Sequence, residues 1–306
     1  MSIGLGELLS LQSRLISASL RPNKLLYRIF HPSPKIIRWF THSQTWFAGK
    51  LFTPFSVRTT NTRFGEVPTV TFTPKKNVRN NTIFVYLHGG GYCFGSSRTT
   101  HRIGLANLSK MTSCIIHSVD YRLAPKHPFP AALDDAIQAW DAIITDYPES
   151  KIILSGDSAG GGLSLALMMR LRDEGSRLPD AAVLFSPWTD LTCSSKTYQT
   201  LAKVDPMIPH SAPEQCAEYY VPDTENRKNP YISPLFGDFT ELPRMLILVG
   251  DREILLDDSR KVGEKAKLSD VEIEVDIWPK MFHDWWLFGP LIPESNKCLE
   301  KVAEWI

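Results

Sequence analysis

The sequence predicts a three-layer α/β fold: a mainly parallel sheet, helices on both of its faces, and a cap over one edge. Three observations predict it. From about residue 69 onward, short apolar runs alternate with helix-length segments, the pattern of consecutive βαβ units. The runs are bounded by glycine or proline, as expected for strands buried on both faces of a parallel sheet. Two stretches, about 1–50 and about 188–230, break the alternation, the second with Pro206, Pro209, Pro213, Pro222 and Pro230. Such excursions sit above the carboxyl edge of an open α/β sheet, where ligands bind. The chain, 1–306, reads as one domain whose cap comes from those two stretches.

Candidate strands fall at 69–73, 83–87, 114–119, 152–155, 181–185, 245–249 and 272–277. Between them lie candidate helices at about 97–111, 131–146, 159–174, 256–269 and 294–306. No internal repeat, low-complexity tract or long linker interrupts the series.

With 306 residues, 43% hydrophobic and 22% charged, the chain has the composition of a globular protein with a well-buried core. A net charge of +1 provides no field to collect polyanions, so no nucleic-acid partner is expected; the partner is expected to be small. Five cysteines, Cys93, Cys114, Cys193, Cys216 and Cys298, form no CxxC pair. They read as reduced structural thiols, which favours a cytoplasmic location. No apolar window is long enough for a membrane span. The first 20 residues, broken by Glu7, Gln12 and Arg14, look amphipathic rather than secretory. In residues 1–50, Arg14, Arg21, Lys24, Arg28, Lys35, Arg38 and Lys50 face one acid, Glu7, with Tyr27, Phe30, Trp39 and Phe40 among them. The expected arrangement is a helical cap with its apolar face packed on the body and its basic face solvated. Contact with a lipid surface is the alternative.

The chemistry is concentrated at strand ends. The stretch GDSAGG, 156–161, follows the strand at 152–155 and opens a helical pattern; that is the context of a nucleophile elbow. Glycines permit the tight turn, the turn lifts the Ser158 hydroxyl clear of the backbone, and the helix N-terminus brings the Ala159 N–H to the same spot. A plain glycine-rich turn is the alternative, but a second motif stands against it. HGGGYCFGS, 88–96, follows the strand at 83–87, and its bare backbone N–H groups suit a developing oxyanion. Gly89 and Gly90 are the expected donors. Neither glycine run has the GxxxxGK[ST] spacing of a phosphate-binding loop.

A nucleophilic serine needs a base. Of the eight histidines only His210 and His283 follow Ser158, and only His283 comes directly after a candidate strand; it is the expected base. For the acid, the segment GDREILLDDS after the strand at 245–249 offers Asp251 and Glu253. Asp257 and Asp258 fall where the next helix starts and read as dipole partners or solvated charges.

Taken together, HGGGYCFGS, DYRLAPKHPFPAALDD (120–135), GDSAGG, SPWTDLT (186–192), NPYISPLFGD (229–238) and the late histidine resemble the hormone-sensitive-lipase-like branch of the α/β-hydrolases, the bacterial family IV carboxylesterases. The resemblance runs from about residue 80 to 290. It implies an eight-stranded, mostly parallel sheet with a helical cap, no metal and no organic cofactor. It also implies Ser158 as nucleophile, His283 as general base, and an oxyanion hole from the N–H groups of Gly89, Gly90 and Ala159. The family's D-P-L-x-D pattern is similar to EILLD, 253–257, which favours Glu253 over Asp251 as the acid, with glutamate in place of the commoner aspartate. Lys126 stands where the family often has glutamate. The expected activity is serine-dependent hydrolysis of short to medium acyl esters. An amide or formamide hydrolase, or a non-catalytic receptor of the same fold, is the alternative. Trp39, Phe40, Trp46 and Phe47 are expected to line an acyl pocket or to pack in the core. The expected partner is a small-molecule ester, and a homodimer is allowed.

Overall fold

The computed structural model describes residues 9–30, 32–79 and 81–306; residues 1–8, with Glu7, and His31 lie outside them. Strands β1 (Val57–Phe64), β2 (Val67–Pro74), β3 (Thr82–Leu87), β4 (Ile115–Val119), β5 (Lys151–Asp157), β6 (Ala181–Phe185), β7 (Met245–Gly250) and β8 (Ile273–Trp278) form one sheet. Their order is β1-β2-β4-β3-β5-β6-β7-β8. From β4 through β8 every pairing is parallel, while β2 runs antiparallel to both β1 and β4. The central strands β3, β5, β6 and β7 are buried almost throughout, which is why they read as unbroken apolar runs.

Helices α1 (Leu11–Phe30) and α2 (Pro34–Phe52) precede the sheet, and α3 (Arg102–Thr112), α4 (Ala131–Asp146) and α5 (Ser158–Asp173) connect its first parallel strands. Short α6 (Thr197–Thr200) and α7 (Ala212–Tyr220) occupy the excursion after β6; α8 (Leu256–Leu268) and α9 (Pro293–Trp305) flank β8. Trp140 of α4, Leu163 of α5 and Val262 of α8 belong to one buried cluster. Leu105 of α3 and Leu299 and Val302 of α9 belong to a second, on the other face. Two apolar clusters separated by a sheet make three layers.

Three expectations are corrected. Strand β1 escaped the sequence because VRTTNTRF is largely polar; it is an edge strand paired only with β2, so most of its side chains are wet. The helix expected from 97 starts at Arg102, because Ser97 is drawn to Asp120 by its N–H and hydroxyl at 2.9 and 2.7 Å. The third concerns the N-terminal segment, whose apolar face was expected to pack inward. Leu9, Ile16 and Leu20 do pack on the second cluster. Trp39, Phe40, Trp46 and Phe47, however, are 71%, 39%, 53% and 63% exposed, so they are neither core residues nor walls of an enclosed pocket.

The two excursions touch. Lys24 Nζ of α1 donates to the Ala202 and Asp205 carbonyls at 2.5 and 2.6 Å, and the Tyr27 hydroxyl to Gln215 Oε1 at 2.5 Å. Glu294 at the start of α9 accepts from Ser10 and Ser13, fixing the other end of α1. Among the described residues, no helix is long and apolar enough to cross a membrane.

Candidate active site

Ser158 sits at the junction of β5 and α5 with φ of +51°, in the left-handed region, strain that a non-glycine residue holds only when its surroundings impose it. The surroundings are close. A Cβ on Gly160 would run into the Leu87 carbonyl, and one on Gly156 into that of Gly160, so the glycines two residues either side of the serine let the turn and strand β3 approach. The Ser158 carbonyl accepts the Trp188 N–H at 2.8 Å. Ala159 occupies the first turn of α5, where backbone N–H groups have no intrahelical acceptor.

His283 lies on the loop after β8, buried, with Nδ1 2.9 Å from Glu253 Oε2. Glu253, on the loop after β7, is fully buried. Asp251 is turned away: its Oδ1 accepts the Lys280 N–H at 2.6 Å. His210 is exposed. The second ring nitrogen of His283 has a partner the sequence did not suggest, Asp284, whose Oδ2 lies 3.0 Å from Nε2. Asp284 is itself left-handed, with φ of +51°, and buried. Burial opposes the imidazolium, but the carboxylates of Asp284 and Glu253 outweigh it and hold His283 well above its usual range. Burial raises Glu253 against the pull of His283 and pushes Asp284 up to about 7, with Asp157 adding to that rise and His283 opposing it. Asp157 is the residue before the nucleophile.

The glycine run is organised by that residue, Asp157. Its Oδ1 accepts the Gly89 N–H at 2.8 Å and the Tyr86 hydroxyl at 2.5 Å; its Oδ2 faces His101 Nε2 at 2.9 Å. Burial alone would raise Asp157, but His101 overcomes it and brings the carboxyl down to about 2. This corrects one expected donor: the Gly89 N–H is committed to Asp157. Gly90 and Gly91 are left-handed, with φ of +116° and +58°. Among the described residues neither of their N–H groups has an acceptor. The Gly90 carbonyl accepts from Cys93 and Phe94 at 3.0 and 2.9 Å, closing the loop into a tight turn. A run of three glycines does not itself say which N–H is used internally.

Asp258 is not solvated. It is fully buried and accepts the Thr189 and Asp190 N–H groups at 2.9 and 3.0 Å and the Ser195 hydroxyl at 3.2 Å, tying α8 to the loop after β6. Burial, with Asp190 nearby, raises it to about 7. Asp257 Oδ2 accepts the Thr197 N–H at 3.3 Å. Lys126 is exposed, and nothing in the structure explains it.

A serine on a strained strand–helix turn, with a His–Glu pair on the loops of later strands, is the constellation of a hydrolase elbow. A family model described as the alpha/beta hydrolase fold matches residues 84–287. The chain belongs to the α/β-hydrolase family. This hydrolase is 36% identical over 223 residues to an acetyl-hydrolase of Streptomyces hygroscopicus, covering 72% of this chain and 74% of that protein. It is 35% identical over 223 residues to an esterase of Acinetobacter venetianus, covering 72% and 73%. Among solved structures, an esterase from the bacterial hormone-sensitive lipase family superposes with a TM-score of 0.89 and 31% identity over 98% of both chains. The esterase EstE5 soaked with p-nitrophenyl butyrate gives 0.88 and 32% over 97% of both. The resemblance seen in the motifs thus extends to the whole fold.

Proposed function

We propose that this hydrolase cleaves carboxylic esters of short to medium acyl chain, with Ser158 as nucleophile, His283 as general base and Glu253 as the acid that orients it. The observation that carries this reading is the buried His283–Glu253 pair, 2.9 Å apart, on the loops after β8 and β7, together with Ser158 in a left-handed conformation on the turn after β5. The names of the relatives, acetyl-hydrolase and esterase, and the butyrate ester soaked into one structural neighbour support the substrate class.

In the reaction, Ser158 Oγ attacks the acyl carbon and His283 Nε2 takes its proton, so Nε2 exchanges the Asp284 carboxylate for the serine hydroxyl. Glu253 stabilises the imidazolium that forms. The negative charge on the carbonyl oxygen is met by the N–H groups of Gly90, Gly91 and Ala159, each such donor worth about 10²–10³ in kcat. Nε2 then protonates the departing alkoxide, leaving an acyl-enzyme, and a water deprotonated by His283 releases the carboxylic acid. Asp157 holds Gly89 and so sets where its two neighbours point.

Hydrolysis of a p-nitrophenyl ester series of rising acyl length, on wild type and Ser158→Ala, tests the reading. Serine-dependent turnover that peaks at short chains is the expected result. Turnover of anilides alone would reassign the site to amide hydrolysis, and a folded protein with no turnover would make it a binding site.

A further inference from the structure

Fourteen of the seventeen large apolar side chains that are exposed among the described residues lie between Leu11 and Phe55. They are not scattered. At about 100° per residue, Leu11, Leu15, Leu25 and Ile29 share one line along α1, and Arg14, Arg21 and Arg28, seven apart, form a second line beside it. The opposite side of α1 attaches the helix to the body through Ser13, Lys24 and Tyr27. Helix α2 repeats the arrangement. Ile36, Phe40, Phe47 and Leu51 face outward, and Trp39, Trp46, Lys35 and Lys50 flank them, with the Lys50 ammonium 3.8 Å above the Trp46 ring. Arg38, on the inner side, donates to the Cys93 and Ala124 carbonyls at 2.6 Å each. The outward face of both helices is thus an apolar stripe bordered by cations.

An apolar surface of this extent marks an interaction site, and its charge selects the occupant. Residues 9–56 contain seven arginines and lysines and no aspartate or glutamate. Five of the seven, Arg14, Arg21, Arg28, Lys35 and Lys50, are exposed. A second copy docked face to face would set those cations against themselves with no acid to pair them. An anionic lipid surface satisfies both features: the apolar stripe enters the acyl boundary and the cations reach the headgroup phosphates. Tryptophan is the ring that favours that boundary.

We propose that α1 and α2 dock this protein, lying in the plane of the interface, on an anionic lipid surface. The Arg38 bonds hold the inner side of α2 on the Cys93 and Ala124 carbonyls, so the docked face lies on the opposite side of that helix. The proposal does not depend on which bond the site hydrolyses.

Flotation of the intact chain with phosphatidylcholine vesicles, with and without phosphatidylglycerol, tests it. Partitioning should require phosphatidylglycerol, weaken with added salt, and fall on the order of a hundredfold in the triple variant Arg14→Gln, Arg21→Gln, Arg28→Gln. Leu25→Ser with Ile29→Ser should also lose binding, while both variants keep the wild-type melting temperature and their turnover of a water-soluble ester. Failure of the intact chain to float at any phosphatidylglycerol content overturns the proposal. So does equal partitioning onto phosphatidylcholine alone, or a dimer in sedimentation whose assembly the serine substitutions abolish while flotation is absent.

Discussion

Replacing Asp157 with alanine removes the acceptor on which the glycine loop is hung. The side chain is 1% exposed and serves the Gly89 N–H, the Tyr86 hydroxyl and His101 at once. Alanine leaves two neutral donors buried without an acceptor, at about 1–3 kcal/mol each. It also strips buried His101 of the carboxylate that raises it, and breaking a buried charge pair costs about 3–5 kcal/mol. The three losses share one cavity and do not add, so the expected destabilisation is about 5 kcal/mol. Asparagine keeps an acceptor for Gly89 and Tyr86 and loses only the charge, so it should cost less than alanine, about 3 kcal/mol. Urea unfolding followed by tryptophan fluorescence measures both. In the same variants kcat should fall further for alanine than for asparagine, because Gly90 and Gly91 follow directly on Gly89. A wild-type unfolding midpoint and kcat in Asp157→Ala would refute the assignment. The pair also predicts a pH window. Asp157 sits at about 2, below its usual 3.8, so its contribution is full above the ordinary carboxylate range and is lost as the pH falls through about 2. His101 is raised, by Asp157 against burial; its contribution is full below its usual 6.5 and fades as the pH rises through the raised value.

The remaining predictions concern the site and its supports. Glu253→Gln should lower kcat by about 10³–10⁴, because the imidazole loses its orienting charge, whereas Asp251→Asn should change it only a few-fold; steady-state kinetics on one ester separates the two. Asp284→Asn removes one of the two carboxylates that hold the His283 proton, so the base form persists to lower pH and the acidic limb of kcat/KM should move down in pH. An unmoved limb in that variant would show that Asp284 does not face Nε2 in the working enzyme. Asp258→Ala leaves the Thr189 and Asp190 N–H groups buried without an acceptor and should cost about 3 kcal/mol, read as a lower unfolding midpoint with the slope unchanged.

Sequence periodicity gives a clear reading where side-chain environment is uniform. The central strands, apolar on both faces, and the elbow, with glycines flanking Ser158, could be placed from the sequence because their packing tolerates little else. Strand β1 could not, since an edge strand with one partner needs no apolar pattern. Asp258 reads from the sequence as a dipole partner or a solvated charge; it does lie in the first turn of α8, but its backbone donors at 189 and 190 come from a distant loop. Glu253 lay within reach of a pattern, but Asp284, adjacent to His283, did not: its role depends on a left-handed backbone that no neighbouring residue announces. The choice among Gly89, Gly90 and Gly91 rests on Asp157, 68 residues away. In the N-terminal helices, which face meets solvent depends on where Ser13, Lys24, Tyr27 and Arg38 find partners.

The most direct test of the account is covalent labelling by a phosphonate ester, followed by mass spectrometry of the peptides. The account predicts one phosphonylated residue, Ser158, with labelling strongly slowed in His283→Ala and abolished in Ser158→Ala. Labelling at another residue, or a rate that is indifferent to His283, would contradict it.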